Sequence, residues 1–151
     1  MGKRVKVCVI CSAGGHLTEA LLAVAALTEE YYLITFRQKH VGARQSGKKV
    51  YFVIDPHTSL FKFAVNCMQS LWLFLRKRPK VVITTGAGIA VPTCLIAKLF
   101  GAKLLVIETG ARVTTPSRTG RLLYKYADLF IVQWEPLLQV YPKAIYGGVL
   151  L

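Results

Sequence analysis

The chain has 151 residues, a length that suits one domain over residues 1–151 with a substantial core. Hydrophobic residues make up 54% and mean hydropathy is +0.45, high for a soluble domain, so apolar surface meeting a membrane or a partner is expected. The net charge of +13 draws nucleic acid, anionic lipid or a polyphosphate ligand, while no apolar run reaches the roughly 18–20 residues of a bilayer span.

In chain order, Met1–Lys6 is basic, but the apolar run behind it is strand-length, so no secretory signal is read. Val5–Cys11 reads as a first buried strand, and Cys11-Ser12-Ala13-Gly14-Gly15-His16 turns it into a helix over Leu17–Leu27. Tyr31–Phe36 is the second strand. Arg37–Lys49 is a basic loop. Val50–Ile54 is the third strand, stopped by Asp55-Pro56. Ser59–Leu75 is a long apolar helix ending in Arg76-Lys77-Arg78-Pro79. Lys80–Thr84 is the fourth strand, followed by Thr84-Thr85-Gly86-Ala87-Gly88 and a helix over Ala90–Phe100. Lys103–Glu108, a helix over Ser117–Ala127, Leu129–Gln133, a helical turn over Glu135–Val140 and an extended tail over Ala144–Leu151 complete the pattern.

Strands alternating with helices, several of them almost wholly apolar, predict a parallel sheet covered on both faces. The fold class is α/β, a doubly wound Rossmann-like sheet. With strand order 3-2-1-4-5-6, strands one and four meet at the topological switch point, and their C-terminal turns are the two Gly-rich ones. Ser12, Ala13, Gly14, Gly15, Thr85, Gly86, Ala87 and Gly88 are therefore candidates to hold a phosphate through backbone N–H groups. The bland alternative is that the glycines only permit tight turns. The spacing is not the G-x-G-x-x-G dinucleotide fingerprint, and strand two ends Phe36-Arg37 without the acid that binds a ribose.

His16 is read as a general base, a hydrogen-bond donor to phosphate, or a helix cap. Glu108 ends a central strand, where it would either position a substrate hydroxyl or pair with Arg112. Arg112 is also a candidate for the basic wall of the crevice. His40 and His57 lie in loops and receive no role. Cys8, Cys11, Cys67 and Cys94 read as reduced thiols, and the C-x-x-C offset sends Cys8 and Cys11 to opposite faces of a strand. No metal site and no cofactor are called for. Phe61, Phe63, Trp72 and Phe74 beside Arg76, Lys77, Arg78 and Lys80 suit the interface of an anionic membrane, and a helix buried in a larger assembly is the alternative. Basic residues are not interleaved with aromatics as in a nucleic-acid-binding module, so nucleic acid is not expected as a partner.

Several segments in order carry a family likeness. They are Ser12-Ala13-Gly14-Gly15-His16, Thr85-Gly86-Ala87-Gly88, Glu108-Thr109-Gly110-Ala111-Arg112-Val113 and Ser117-x-x-Gly120-x-Leu122-Leu123-Tyr124. Ala127-Asp128-x-Phe130-Ile131-Val132-Gln133-Trp134 and Tyr141-Pro142-Lys143-Ala144-x-Tyr146-x-Gly148 follow. Together they resemble the acceptor-binding, membrane-associated subunit of the two-component N-acetylglucosaminyltransferase of asparagine-linked glycosylation. Similar subunits occur in bacterial capsule and exopolysaccharide transferases, and a more distant likeness is to the peptidoglycan lipid-linked N-acetylglucosaminyltransferase.

The resemblance implies the N-terminal half of an inverting GT-B glycosyltransferase, with the donor nucleotide sugar bound by a separate polypeptide. It implies a polyprenyl-diphosphate-linked sugar as acceptor and the cytoplasmic face of a membrane as the place of work. The chain departs from eukaryotic members in starting almost directly at strand one, so membrane contact is expected from Leu60–Lys80 or from a partner. The apolar tail, with Tyr146, Gly148, Val149, Leu150 and Leu151, is expected to dock on the donor-binding subunit. A membrane scaffold for a self-sufficient transferase and a stand-alone nucleotide-binding enzyme are the competing readings.

Overall fold

The computed structural model describes residues 6–38 and 48–150. Val5, His40, most of the loop read at Arg37–Lys49, and Leu151 lie outside the described residues.

Seven strands form one parallel sheet in the order β3-β2-β1-β4-β5-β6-β7. They are β1 Val7–Ile10, β2 Tyr31–Thr35, β3 Val50–Phe52, β4 Val81–Thr84, β5 Lys103–Ile107, β6 Leu129–Val132 and β7 Ile145–Tyr146. The helices are α1 Gly15–Ala23, α2 Leu60–Lys77, α3 Val91–Leu99 and α4 Arg118–Tyr124, with 3-10 turns at Gly88–Ala90 and Glu135–Gln139. The expected order is extended by β7, which pairs with β6 through Ile131–Ile145 and Val132–Tyr146. The tail thus joins the sheet edge before it ends.

Strands β1 and β4 are neighbours in register, with Ile10 beside Thr84. Their chain continues in opposite senses along the sheet, which makes this the switch point. The alternation of side chains sends Cys8 and Ile10 into the core under α2, α3 and α4, and Val7, Val9 and Cys11 into the core under α1. Cys8 and Cys11 therefore do face opposite ways, and burial pushes each thiol up to about 12, which leaves neither a nucleophile near neutral pH.

Helix ends differ from the sequence expectation for local reasons. The pattern predicts α1 to Leu27, but bonds from Ala25 N to Leu22 O and Leu27 N to Val24 O tighten the chain into turns after Ala23. The β3 ladder stops at Phe52 because the Ile54 N–H leaves the sheet to donate to Gln69 Oε1 on α2 (2.7 Å).

Helix α2 is turned against its composition. Asn66 and Ser70 are fully buried beside Leu73 and Phe74, while Leu60, Phe61, Met68, Trp72 and Leu75 face outward. The buried amide is satisfied: Asn66 Nδ2 donates to Ile54 O (2.8 Å) and Ile89 O (3.3 Å), Ser70 Oγ donates to Asn66 Oδ1 (2.9 Å), and Thr93 Oγ1 donates to Ser70 Oγ (2.9 Å). A polar ladder thus holds α2 to α3 and to the loop after β3, freeing the helix's apolar bulk for the surface.

Candidate functional site: a crevice between two glycine turns

Both Gly-rich turns adopt backbone that side chains rarely tolerate. Gly14 has φ +92°, Gly86 φ +103°, and Ala87 takes φ +76° with ψ +152°, a region that costs a non-glycine residue on the order of 1–3 kcal/mol. Helices α2 and α4 are capped by Ser59 and Ser117 side chains. The two helical starts at the switch point, α1 and the Gly88–Ala90 turn, have no side-chain cap. Their first N–H groups are left for solvent or an anion.

A crevice of about 340 Å³ lies there, lined by Ser12, Ala13, Ala87 and Gly88 from the two turns and by Phe36, Asp55, His57 and Ile89. Of the expected phosphate-holding residues, Ser12, Ala13, Ala87 and Gly88 are thus brought together. Gly14 and Gly15 open the adjacent first turn of α1, where a Cβ on Gly15 would meet only open space. Thr85 and Gly86 do not line the crevice: Thr85 bonds His16, and Gly86 N donates to Thr84 Oγ1 (3.0 Å). Arg112 is exposed in the loop after β5, where its N–H closes a turn on Thr109 O (3.0 Å), and it does not line the crevice.

His16 is the link between the turns. Its Nδ1 lies 2.9 Å from Thr85 O, while Thr85 Oγ1 donates to His16 O (2.8 Å). A carbonyl only accepts, so the contact assigns the proton of the neutral ring to Nδ1 and leaves the lone pair on Nε2. The side chain is 29% exposed. It does not line the crevice, and the helix-cap reading is set aside because α1 has no side-chain cap.

Glu108 is a correction to the sequence reading. It is buried and does not line the crevice. Oε2 accepts from Ser117 N (3.1 Å) and from the Tyr141 hydroxyl (2.9 Å), and Oε1 accepts from Thr109 N (3.2 Å). No ion pair with Arg112 is found among the described residues. Glu108 fastens the loop after β5 to the start of α4. Desolvation and the neighbouring carboxylate both push the Tyr141 hydroxyl pKa up.

A buried acid that sequence reasoning missed is Glu19. Its Oε1 accepts from Gly110 N (2.7 Å), Thr109 Oγ1 (3.2 Å) and Gln133 Nε2 (3.3 Å). Trp134 Nε1 donates to Gly110 O (2.8 Å), so the Gln133-Trp134 pair grips the same loop. The available signal was an acid three residues after His16, on the helix side that carries Leu17 and Ala20 into the core. Asp55 and His57 were also missed. His57 N donates to Asp55 Oδ1 (3.1 Å), and both residues line the crevice together with the glycine turns. No group of three or more His, Cys, Asp or Glu side chains placed for a metal ion occurs among the described residues.

Beside the crevice, α2 presents its apolar side. Phe61 is 78% exposed, and Phe63 and Trp72 are exposed with it. Phe74 is the exception and corrects the expectation: it is 7% exposed and packs on the Phe100 ring at 5.3 Å. Arg76 lies over the Trp72 ring and Lys77 over Tyr51. Arg78 ends the helix in the left-handed conformation, and Lys80 is exposed before β4. No helix among the described residues is long and apolar enough to cross a membrane.

At the other end of the sheet, Tyr146 and Val149 are exposed and Gly148 is half-buried. Leu150 is not free: it packs on the core under α1, and its N–H donates to Gln133 Oε1 (2.9 Å).

The solved structure of Acinetobacter baumannii MurG matches with a TM-score of 0.73 over 87% of this chain and 42% of that one, at 16% identity. The UDP-N-acetylglucosamine 2-epimerase of Rickettsia bellii matches with a TM-score of 0.76 over 98% of this chain and 46% of its own, at 12% identity. The chain thus spans less than half the length of either. Sheet order and these likenesses define the class: a doubly wound, Rossmann-like α/β unit that matches part of each of those larger chains. Residues 43–150 match the family described as oligosaccharide biosynthesis protein Alg14 like. A human relative, UDP-N-acetylglucosamine transferase subunit ALG14, is 28% identical over 93% of this chain and 80% of its own length. The chain belongs to the Alg14 family.

Proposed function

We propose that this chain is the acceptor-binding subunit of a split, inverting GT-B glycosyltransferase. In this reading residues 1–151 form one acceptor domain, and a second polypeptide binds the nucleotide sugar. The acceptor is a polyprenyl-diphosphate-linked sugar at the cytoplasmic face of a membrane. The observation that carries the reading is the switch-point crevice itself. Two uncapped helical starts flank it, and His16 is tied to both turns.

The chemistry follows from that arrangement. The acceptor diphosphate lies against N–H groups of the Ser12–Gly15 and Ala87–Gly88 turns, where both the free donors and the dipole of α1 favour negative charge. An acceptor hydroxyl attacks the anomeric carbon of the donor sugar. The new C–O bond forms as the bond to the nucleotide diphosphate breaks, and that group departs with the electron pair. His16 Nε2 takes the hydroxyl proton. The configuration inverts because attack and departure occur on opposite faces.

Helix α2 supports the membrane part. Leu60, Phe61, Met68, Trp72 and Leu75 face outward while Asn66 and Ser70 spend their polar atoms inside the fold, the reverse of a helix that faces water. An apolar pocket of about 360 Å³ lined by Tyr51, Phe52, Met68, Gln69, Trp72 and Leu73 lies on the same side, with Arg76 and Lys77 at its rim. Apolar bulk with flanking cations suits an anionic bilayer surface.

The test is co-purification with the donor-binding subunit, followed by transfer from UDP-N-acetylglucosamine to a polyprenyl-diphosphate-linked sugar. Transfer is expected from the complex and from neither chain alone. Full activity of the partner without this chain would leave it a scaffold; nucleotide-sugar binding and turnover by this chain alone would make it a stand-alone enzyme.

A further inference from the structure

Glu19 is an ionisable side chain buried to 3% exposure in the centre of the molecule, and its two oxygens are treated very differently. Oε1 collects three hydrogen bonds, from Gly110 N, Thr109 Oγ1 and Gln133 Nε2. Oε2 is buried and has no hydrogen-bond partner. It lies 3.9 Å from His16 Nδ1, one helical turn away on α1. A buried carboxylate oxygen without a donor is costly, and native interiors seldom keep one without a use for it.

We propose that Glu19 is the positioning residue of His16. Its free oxygen biases the ring toward the tautomer with Nδ1 protonated and offsets the positive charge that the imidazole acquires when Nε2 removes the acceptor proton. The proposal rests on the reading of His16 as the base. The logic is that of a buried acid behind a catalytic histidine, which holds the ring and stabilises the imidazolium without itself being protonated. Here the direct contact to Nδ1 is the Thr85 carbonyl, and Glu19 supplies the charge that a carbonyl lacks.

The surroundings fit this division of labour. On its own helix Glu19 faces His16. From the loop after β5 it faces Thr109 and Gly110, and from the end of β6 it faces Gln133. Among these partners no Lys or Arg competes with His16 for the carboxylate. Gln133 is itself fixed, donating to Glu108 O (3.1 Å) and accepting from Leu150 N (2.9 Å), so Oε1 is clamped and Oε2 is held toward the ring. A purely structural brace would need only Oε1.

The experiment uses the complex with the donor-binding subunit for kinetics, and the chain itself for histidine NMR. The Glu19→Gln side chain keeps an oxygen for Gly110 and removes the charge. We expect kcat to fall about tenfold or more, yet less than the roughly 100- to 10,000-fold of losing the base, with acceptor KM unchanged. The ¹⁵N shifts of neutral His16 should move toward the Nε2-protonated tautomer. Glu19→Asp should recover most of kcat even where the melting temperature stays low, and it decides the matter should Glu19→Gln not fold. Unchanged ¹⁵N shifts in a folded Glu19→Gln chain, or a folded Glu19→Asp complex as inactive as Glu19→Gln, would overturn the proposal. Absence of transfer by the unmodified complex would instead overturn the functional reading, and the tautomer measurement, which needs no turnover, would still decide the role of Glu19.

Discussion

His16 and Thr85 are joined by two hydrogen bonds that run in opposite directions between turns 69 residues apart. One fixes the imidazole through Nδ1, and the other fixes the backbone of His16 through the threonine hydroxyl. The glycine turn after β1 and the glycine turn after β4 are therefore tied directly to each other. His16→Ala is expected to lower transfer by about 100- to 10,000-fold without loss of fold. Thr85→Val, which removes only the hydroxyl bond, is expected to cost about 1 kcal/mol of stability and a smaller part of kcat. Denaturation curves and steady-state kinetics check both, and a His16→Ala complex with near-normal turnover removes His16 from the chemistry.

A different position probes binding. Gly15 has ordinary backbone angles and open space around its would-be Cβ, so Gly15→Val is expected to fold normally. Its branched side chain then stands over the first N–H groups of α1, where the proposed diphosphate would lie. Acceptor KM should rise several-fold with the melting temperature within a degree or two. If acceptor kinetics do not change in a folded variant, the diphosphate lies elsewhere.

Glu108 should behave as a structural residue. Glu108→Gln puts an amide where one oxygen accepts from Ser117 N and Tyr141 OH, leaving buried donors short of a partner at about 1–3 kcal/mol. The melting temperature should drop by several degrees, and kcat at a temperature where the variant is folded should be nearly unaltered. Gly120→Ala should act alike, since its Cβ would overlap Glu108 Oε2. Loss of turnover in stably folded Glu108→Gln would return this carboxylate to the list of candidate bases.

The membrane side separates surface from core on one helix. Replacing Arg76, Lys77, Arg78 and Lys80 by Gln should release the chain from anionic vesicles, each charge contributing roughly 1 kcal/mol. Phe61→Ser with Trp72→Ser should weaken binding at unchanged stability, because both rings are already exposed. Phe74→Ala, by contrast, should cost about 3–5 kcal/mol of stability, because that ring is in the core. Equal vesicle binding by all variants would mean that α2 meets another protein.

The sheet was legible because its signals are local. Apolar runs bounded by Gly, Pro and Asp give strands, and the two turns with small residues give the switch point. The position of Phe74 was not legible, because α2 buries Asn66 and Ser70 in a polar ladder with Thr93, and composition alone assigns polar residues to the outside. Glu108 misled for a related reason. A carboxylate at a strand's end does point toward the crevice side of such a sheet, but Tyr141, 33 residues later, draws this one into the interior. Glu19 depends on bonds spanning up to 114 residues, and no window along the chain contains them.

The tail is where the donor half is expected to dock, and the structure divides its residues into two groups. Leu150 serves this chain: it covers the core under α1, and its N–H is held by Gln133. Tyr146 and Val149 point outward from the edge of the sheet, each 45% exposed. An aromatic side chain on a short edge strand and an apolar one three residues beyond it are suitable anchors for a partner, since a few such residues dominate interface energy. Tyr146→Ala with Val149→Asp is therefore expected to abolish co-purification with the donor-binding subunit, and with it transfer, at unchanged circular dichroism. Leu150→Ala should instead lower stability by about 2–5 kcal/mol at most, with the complex still forming at low temperature. Deleting residues 149–151 should combine the two effects. Normal co-purification and transfer by the Tyr146→Ala, Val149→Asp double variant would place the partner on another face of the sheet.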